Sequence, residues 1–277
     1  MNYHHWSALF RGYDLTLRHN QLILVLTAVG AGSVFLVAQS GVGPATIQAI
    51  VAGIAVFMAG ALAKELVPDH PLAALIAAML ALPIAWLAPL SSAVALFWLL
   101  GSLRFLNRTT GLRPKWTDLA VLLIITGLLG WQVTPLFGIL MGVLLTMNSV
   151  LPDSQQSHVI LGVVIIIGSS IWFLISDQPT DQASLWLVVC LIAITLGFMA
   201  VILNSYHTQA VTDATGEILV PSRIQAGQAF GLSAGLFLAS WQGEAGVILL
   251  ASLWAAVLGA FIHYLMFARL RRSAVTL

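Results

Sequence analysis

Three short polar clusters hold the side chains able to do chemistry in this chain. The first is Lys64-Glu65-Leu66-Val67-Pro68-Asp69-His70-Pro71. The second runs from Arg104 to Asp118 and contains Asn107, Arg108, Thr109, Thr110, Gly111, Arg113 and Lys115. The third runs from Asn204 to Gln225 and contains His207, Asp213, Thr215, Gly216, Glu217 and Arg223. Guanidinium forks beside a glycine-containing turn suit phosphate or carboxylate. Asn107, Arg108, Arg113, Asn204, His207, Asp213, Glu217 and Arg223 are therefore the candidate substrate-binding residues.

Each cluster also has a structural reading. Asp69 can cap a helix that begins near Pro71, and Thr117 or Asp118 can cap the next apolar segment. The cations equally suit anionic lipid headgroups. Asp69, His70, His207, Asp213 and Glu217 have no recognised metal-ligand spacing, so neither a metal nor a cofactor is expected. The residues 213–216 read as a turn in which Gly216 takes a positive φ.

The motifs of several large enzyme classes are missing. There is no GxxxxGK[ST], HExxH or GxSxG string and no pair of Asp-rich DxxxD strings. The single cysteine, Cys190, excludes an intrachain disulfide and a CxxC site. Net charge is +1 with no basic stripe interleaved with aromatics, so nucleic acid is not an expected partner.

The elements that must position the clusters are apolar helices. The chain is 60% hydrophobic and 8% charged over 277 residues, against about 25% charged in a soluble domain. Ten spans are expected, at 21–38, 46–63, 72–88, 91–107, 118–133, 135–151, 158–176, 184–203, 226–241 and 246–268. The run 71–103 would be roughly 50 Å long as one helix, too long for a hydrocarbon core near 30 Å. Pro89 divides it, and Trp131 to Pro135 divides the run after it. Helices satisfy their own backbone in lipid, and no barrel-like alternation is present. The expected fold is thus an all-α polytopic membrane protein.

Threading these spans puts all eleven Lys and Arg residues on one side. That pattern predicts a prokaryotic inner (plasma) membrane protein with both termini cytoplasmic. Trp86, Trp131, Trp186 and Trp241 fall near the opposite ends, as an aromatic belt would. Residues 21–38 are read as a retained span, since both leader and apolar stretch are long for a cleaved signal. In residues 1–20, Tyr3, Trp6, Phe10, Tyr13 and Leu17 share one helical face, which predicts an interfacial helix.

Short strings recur in order. Pro68-Asp69 is matched by Pro152-Asp153, Leu106-Asn107 by Leu203-Asn204, and Thr110-Gly111 by Thr215-Gly216. Arg113 with Arg223 and Trp131-Gln132 with Trp241-Gln242 share one offset, 110 residues. The expected organisation is an N-terminal segment (1–20), a transmembrane hairpin (21–67), two parallel four-helix repeats (68–151 and 152–268) and a basic cytoplasmic tail (269–277). Gly227, Gly231 and Gly235, and Gly138 with Gly142, mark stripes for close helix packing. Most such stripes pack within one chain; a homodimer or a membrane-complex partner is the other use.

Ionisable residues avoid the span centres, which argues against a buried carboxylate proton relay. The leading functional expectation is a permease-like protein that binds or moves a small organic or anionic solute at its cytoplasmic face. One alternative is a membrane-embedded enzyme acting on a lipid-linked or phosphorylated substrate, with Asp118, His207, Asp213 or Glu217 as acid, base or ligand. The other is a non-catalytic membrane subunit.

Overall fold

The computed structural model describes all residues except 1–6, 10, 11, 13, 39, 40, 88, 155, 177–180, 182, 276 and 277. Ten α-helices are present among the described residues. They are α1 (Arg18–Val37), α2 (Val42–Leu66), α3 (Pro71–Ile84), α4 (Leu90–Asn107) and α5 (Trp116–Gln132). Then follow α6 (Leu136–Val150), α7 (Ser157–Ile175), α8 (Leu185–Asn204), α9 (Pro221–Leu249) and α10 (Ala251–Val275). Single 3-10 turns extend α3 at Ala85–Leu87 and α8 at Ser205–His207. Among the described residues the only extended pairing is an isolated bridge between Val211 and Ile218.

Every expected apolar run is a helix, and the expected breaks have local causes. Pro89 and Pro135 are the N-caps of α4 and α6. A missing N–H is harmless there, because that position has no intrahelical acceptor. The protein is all-helical, with α1, α2, α7 and α8 long and apolar enough to cross a membrane. The pair α9 and α10, bent by 87°, makes a fifth if it is one broken span.

The leader differs from its expected form. Its backbone is not helical at the described residues 7–9, 12 and 14–17. Tertiary partners replace the helical hydrogen bonds. The Ala8 amide donates to the Asp118 carboxylate at 3.0 Å, and its carbonyl accepts from the Thr110 hydroxyl at 2.6 Å. The Leu9 carbonyl accepts from Arg104 at 3.2 Å. Tyr3, Trp6, Phe10 and Tyr13 lie outside the described residues, as do the side chains of the basic tail.

The core forms around α2, whose apolar window is 61% buried, against 11% for α7. Helices α1, α3, α4, α9 and α10 pack on α2. Two other crossings bring backbones close. A Cβ on Gly142 of α6 would lie 2.6 Å from the Gly162 carbonyl oxygen of α7. A Cβ on Gly259 of α10 would lie 2.8 Å from the Ala77 amide nitrogen of α3. The stripe on α9 also packs within the chain: Gly227 meets Asn107, Gly231 meets Leu103, and Gly235 meets Trp254.

Helix α5 ends at Gln132. In α9 the helix is interrupted at Gly243, directly after Gln242, with φ 56° and ψ −131°. That conformation is open to glycine and strained for other residues.

Candidate functional site

The three polar clusters meet at one end of the helix bundle. In the last turns of α2 and α4, Arg104 Nε lies 2.9 Å from Glu65 Oε1. Glu65 is buried, so this pair supplies the countercharge that a desolvated carboxylate requires. Asn107, at the end of α4, donates from Nδ2 to the Glu65 carbonyl at 2.7 Å. Lys64 donates to Asn20 at the start of α1. Together these bonds fix the hairpin to α4.

A second knot lies at the start of α9. Arg223 is buried and donates to the Leu106 carbonyl at 2.9 Å, to Asn148 Oδ1 at 3.2 Å and to the Pro152 carbonyl. The Nδ2 of Asn148 lies 3.0 Å from His158 Nδ1. One guanidinium thus ties the ends of α4 and α6 and the loop into α7 to α9. Arg108, just past α4, adopts φ 52° and donates from Nη2 to the Asp153 carbonyl at 2.8 Å. Burial lowers the pKa of the Arg108 guanidinium and Arg113 adds to this, while Asp153 opposes them. Arg113 is exposed, 3.8 Å from Asp153.

The two Thr-Gly loops pack on each other. The Asp213 amide donates to the Thr109 carbonyl at 3.1 Å, and the Ala214 amide to the Thr110 carbonyl at 3.2 Å. Within the second loop the Thr212 and Thr215 hydroxyls are 2.6 Å apart, and the Glu217 amide donates to the Thr212 hydroxyl at 3.0 Å. Gly216 has φ 69°, as the turn reading required. Asp69 accepts from the Thr208 hydroxyl at 2.6 Å and the Gln209 amide at 3.0 Å. It therefore anchors this loop, and no side-chain bond caps α3.

Beside the knots is a cavity of about 920 Å³. Its apolar wall includes Phe57 and Met58 of α2, Phe97 and Leu100 of α4, and Leu122 and Ile125 of α5. Its polar end carries Asp14, Asn20, Lys64, Glu65, Arg104, Thr109, Asp118 and Asp213. Residues 7–9 cross this end, held by Asp118, which also accepts from the Lys115 amide at 2.9 Å. That last bond is the N-terminal capping interaction of α5.

The candidate residues separate into three groups. Of the eight, Asp213 lines the cavity. Asn107, Arg108 and Arg223 belong to the knots. Asn204, His207, Glu217 and Arg113 are exposed. Asn204 donates to the Ala200 carbonyl and to the Tyr264 hydroxyl, and His207 stacks edge-on to Tyr206. Among the described residues no three His, Cys, Asp or Glu side chains converge as metal ligands would. The cavity residues outside the eight candidates include Glu65 and Arg104, and Asp118, which the sequence offered only as a cap or in the enzyme alternative. Their signal was a charge within the terminal turn of an otherwise apolar helix. No protein-family model matches the chain, and neither a curated protein nor a solved structure shows significant similarity to it.

Proposed function

We propose that this chain is a polytopic inner-membrane permease-like protein, and that the cavity is where its solute binds. The observation that carries this reading is the cavity itself. Its volume of about 920 Å³ falls in the range of small-molecule sites, which join apolar walls to a few convergent polar groups. All ten helices are read as crossings, with α9 crossing as far as Gln242 and α10 returning. Eleven Lys and Arg residues, all on one side in this threading, support a cytoplasmic position for the polar end.

Duplication of a four-helix unit supports the permease reading, since parallel repeats recur in transporters. Three features favour it. The helix is interrupted directly after Trp-Gln in α5 and in α9. The first helix of each unit crosses the last helix of the other at small residues, α3 on α10 and α7 on α6. Asp69 and Asp153, which precede those first helices, each meet the loop after the second helix of the other unit. Of the two solute classes, the organic one is favoured over the anionic. The guanidinium groups of Arg108 and Arg223 are committed to backbone carbonyls.

Uptake into reconstituted vesicles tests the function. Wild-type protein should carry at least one organic tracer from a broad panel, saturably and without added ATP. Ala61→Phe, which fills the cavity, should cut that uptake about tenfold or more with unchanged folded yield. Transport unaffected by the filling would remove the cavity from the pathway; no uptake across the panel would remove the permease reading. Orientation has its own test. In a Cys190→Ser background, a cysteine at Thr180 should label from outside intact cells and one at Gln209 should not. Outside labelling at Gln209 would reverse the topology.

A further inference from the structure

We propose that residues 7–9 are a strap that closes the polar mouth of the cavity, latched by Asp118, Thr110 and Arg104, and that solute passes between cavity and water when the strap lifts. This rests on the reading of the cavity as a solute site and adds the element that controls entry to it.

The strap is held by side chains rather than by secondary structure. The Ser7 hydroxyl donates to Asp118 Oδ1, and the Ala8 amide donates to Asp118 Oδ2 at 3.0 Å. The Ala8 carbonyl accepts from the Thr110 hydroxyl at 2.6 Å, and the Leu9 carbonyl from Arg104 Nη1 at 3.2 Å. Ala8 is fully buried, and Leu9 packs against the hydrophobic core. No helix has to unwind for these bonds to part. A segment with few contacts, outside any helix, opens at a lower free energy than the helices around it.

The receiving side stays built without the strap. Asp118 also accepts from the Lys115 amide at 2.9 Å, and Arg104 Nε also pairs with Glu65 at 2.9 Å. The Thr110 carbonyl accepts from the Ala214 amide at 3.2 Å. Each latch residue therefore keeps a partner and its position when the strap leaves, so the same bonds can re-form. The chain beyond the strap is fixed locally. Asp14 accepts from the Thr16 amide at 2.8 Å, the Asp14 carbonyl from Asn20, and the Leu15 carbonyl from Gln21 at 2.9 Å. These bonds tie the exposed residues 14–17 to the start of α1 and make that turn the pivot.

Position makes the strap a gate. Ser7, Leu9, Gly12, Asp14 and Leu17 line the cavity at its polar end. The other cover there, the loop that carries Asp213, is bound main chain to main chain at Thr109 and Thr110 and is anchored by Asp69. Away from that end the lining comes from α2, α4 and α5. Helix α5 packs mainly on α4 and α6 rather than on the hairpin α1–α2. A gap on that flank opens onto lipid, which a charged molecule enters only at high cost. Water-soluble molecules are left with the strapped end.

Labelling of a cavity thiol tests the strap in the full-length protein, held in lipid nanodiscs. In a Cys190→Ser background, Ala61→Cys places the thiol on the cavity wall. Sulfonate and trimethylammonium methanethiosulfonates, both excluded from lipid, report access whatever the sign of the charge. Ala8→Pro with Thr110→Val removes two of the bonds and should speed labelling by both reagents about tenfold or more, since each lost bond raises the open fraction several-fold. Ser7→Ala, at a half-buried position outside the helices, should speed it about threefold and leave the folded yield unchanged. Labelling with the strap intact as fast as at an exposed Gln209→Cys overturns the closed mouth. A rate unmoved by these substitutions overturns the latch. No solute has to bind for this readout, so the strap and the solute site can fail separately.

Discussion

Asn107 ends α4 and Asn204 ends α8, and each follows a leucine, yet they have opposite surroundings. Asn107 is buried against Gly227, with its Nδ2 on the Glu65 carbonyl. Asn204 is exposed and bonds within its own turn and to Tyr264. The matched arginines diverge in the same way: Arg223 is buried in a knot of acceptors, and Arg113 is 69% exposed. The difference follows from what lies over each helix end. The hairpin α1–α2 and helix α9 cover the end of α4. The end of α8 meets α9 on one side, through Gln225 on the Ile202 carbonyl and Gln228 on the Ser205 hydroxyl, while Asn204 itself is on the exposed side. Similar local sequence thus became a structural joint where it was covered and a surface where it was not.

The arginine pair gives the strongest way to break that comparison. Arg223→Met should lower stability by about 3 kcal/mol, because it strands two carbonyls and the Asn148 side chain, at about 1–3 kcal/mol for each unsatisfied buried group. Arg113→Met should cost about 0.5 kcal/mol or less, as exposed pairs do. Thermal unfolding midpoints in detergent report both; equal shifts would mean that burial does not distinguish them.

A smaller effect is expected at the glycine facing Asn107. A Cβ at Gly227 would lie 2.9 Å from Asn107 Cγ, so Gly227→Ala should cost about 1–3 kcal/mol by overpacking. Gly127, with no heavy atom within 4 Å of such a Cβ, should accept alanine without loss. Denaturant titration of both variants would sharpen the contrast, and a neutral Gly227→Ala would show that α4 and α9 can separate there.

The smallest expected difference is between the asparagines. Asn107→Ala should cost about 1–2 kcal/mol, since it leaves the Glu65 carbonyl unmet. Asn204→Ala should stay within about 0.5 kcal/mol. Proteolysis rates of the folded protein should rank the two in that order, and the reverse ranking would contradict the burial described here.

Most of the helix positions were legible before folding. Apolar run length, with Pro89 and Pro135 as breaks, placed α1 to α8 within a few residues, because backbone hydrogen bonding and side-chain hydrophobicity are local properties; the ends of α9 and α10 fell up to eight residues from their expected places. The turn at Gly216 was legible for the same reason, since it depends on one residue's freedom at positive φ. The leader was not. Its aromatic spacing reads as a helix, but Asp118, Thr110 and Arg104 capture residues 7–9 from more than 90 positions away. The second break after Trp241-Gln242 was placed within a few residues, while the 87° bend between α9 and α10 had no sequence signal.

The candidate site divides along the same line. Residue types alone marked the three polar clusters as places rich in charge and hydrogen-bonding groups. They could not say which charges would share a space. Arg108, Arg113 and Arg223 look like an anion site in the sequence, because a guanidinium's intrinsic chemistry is all the sequence displays. Tertiary packing gave Arg108 and Arg223 backbone carbonyls as partners and placed carboxylates around the cavity. The sequence by itself determined an all-helical chain with several segments apolar enough for a membrane, and its main breaks. Only the tertiary structure decided which polar groups are joints and which surround a cavity, because that depends on side chains meeting across helices far apart in the chain.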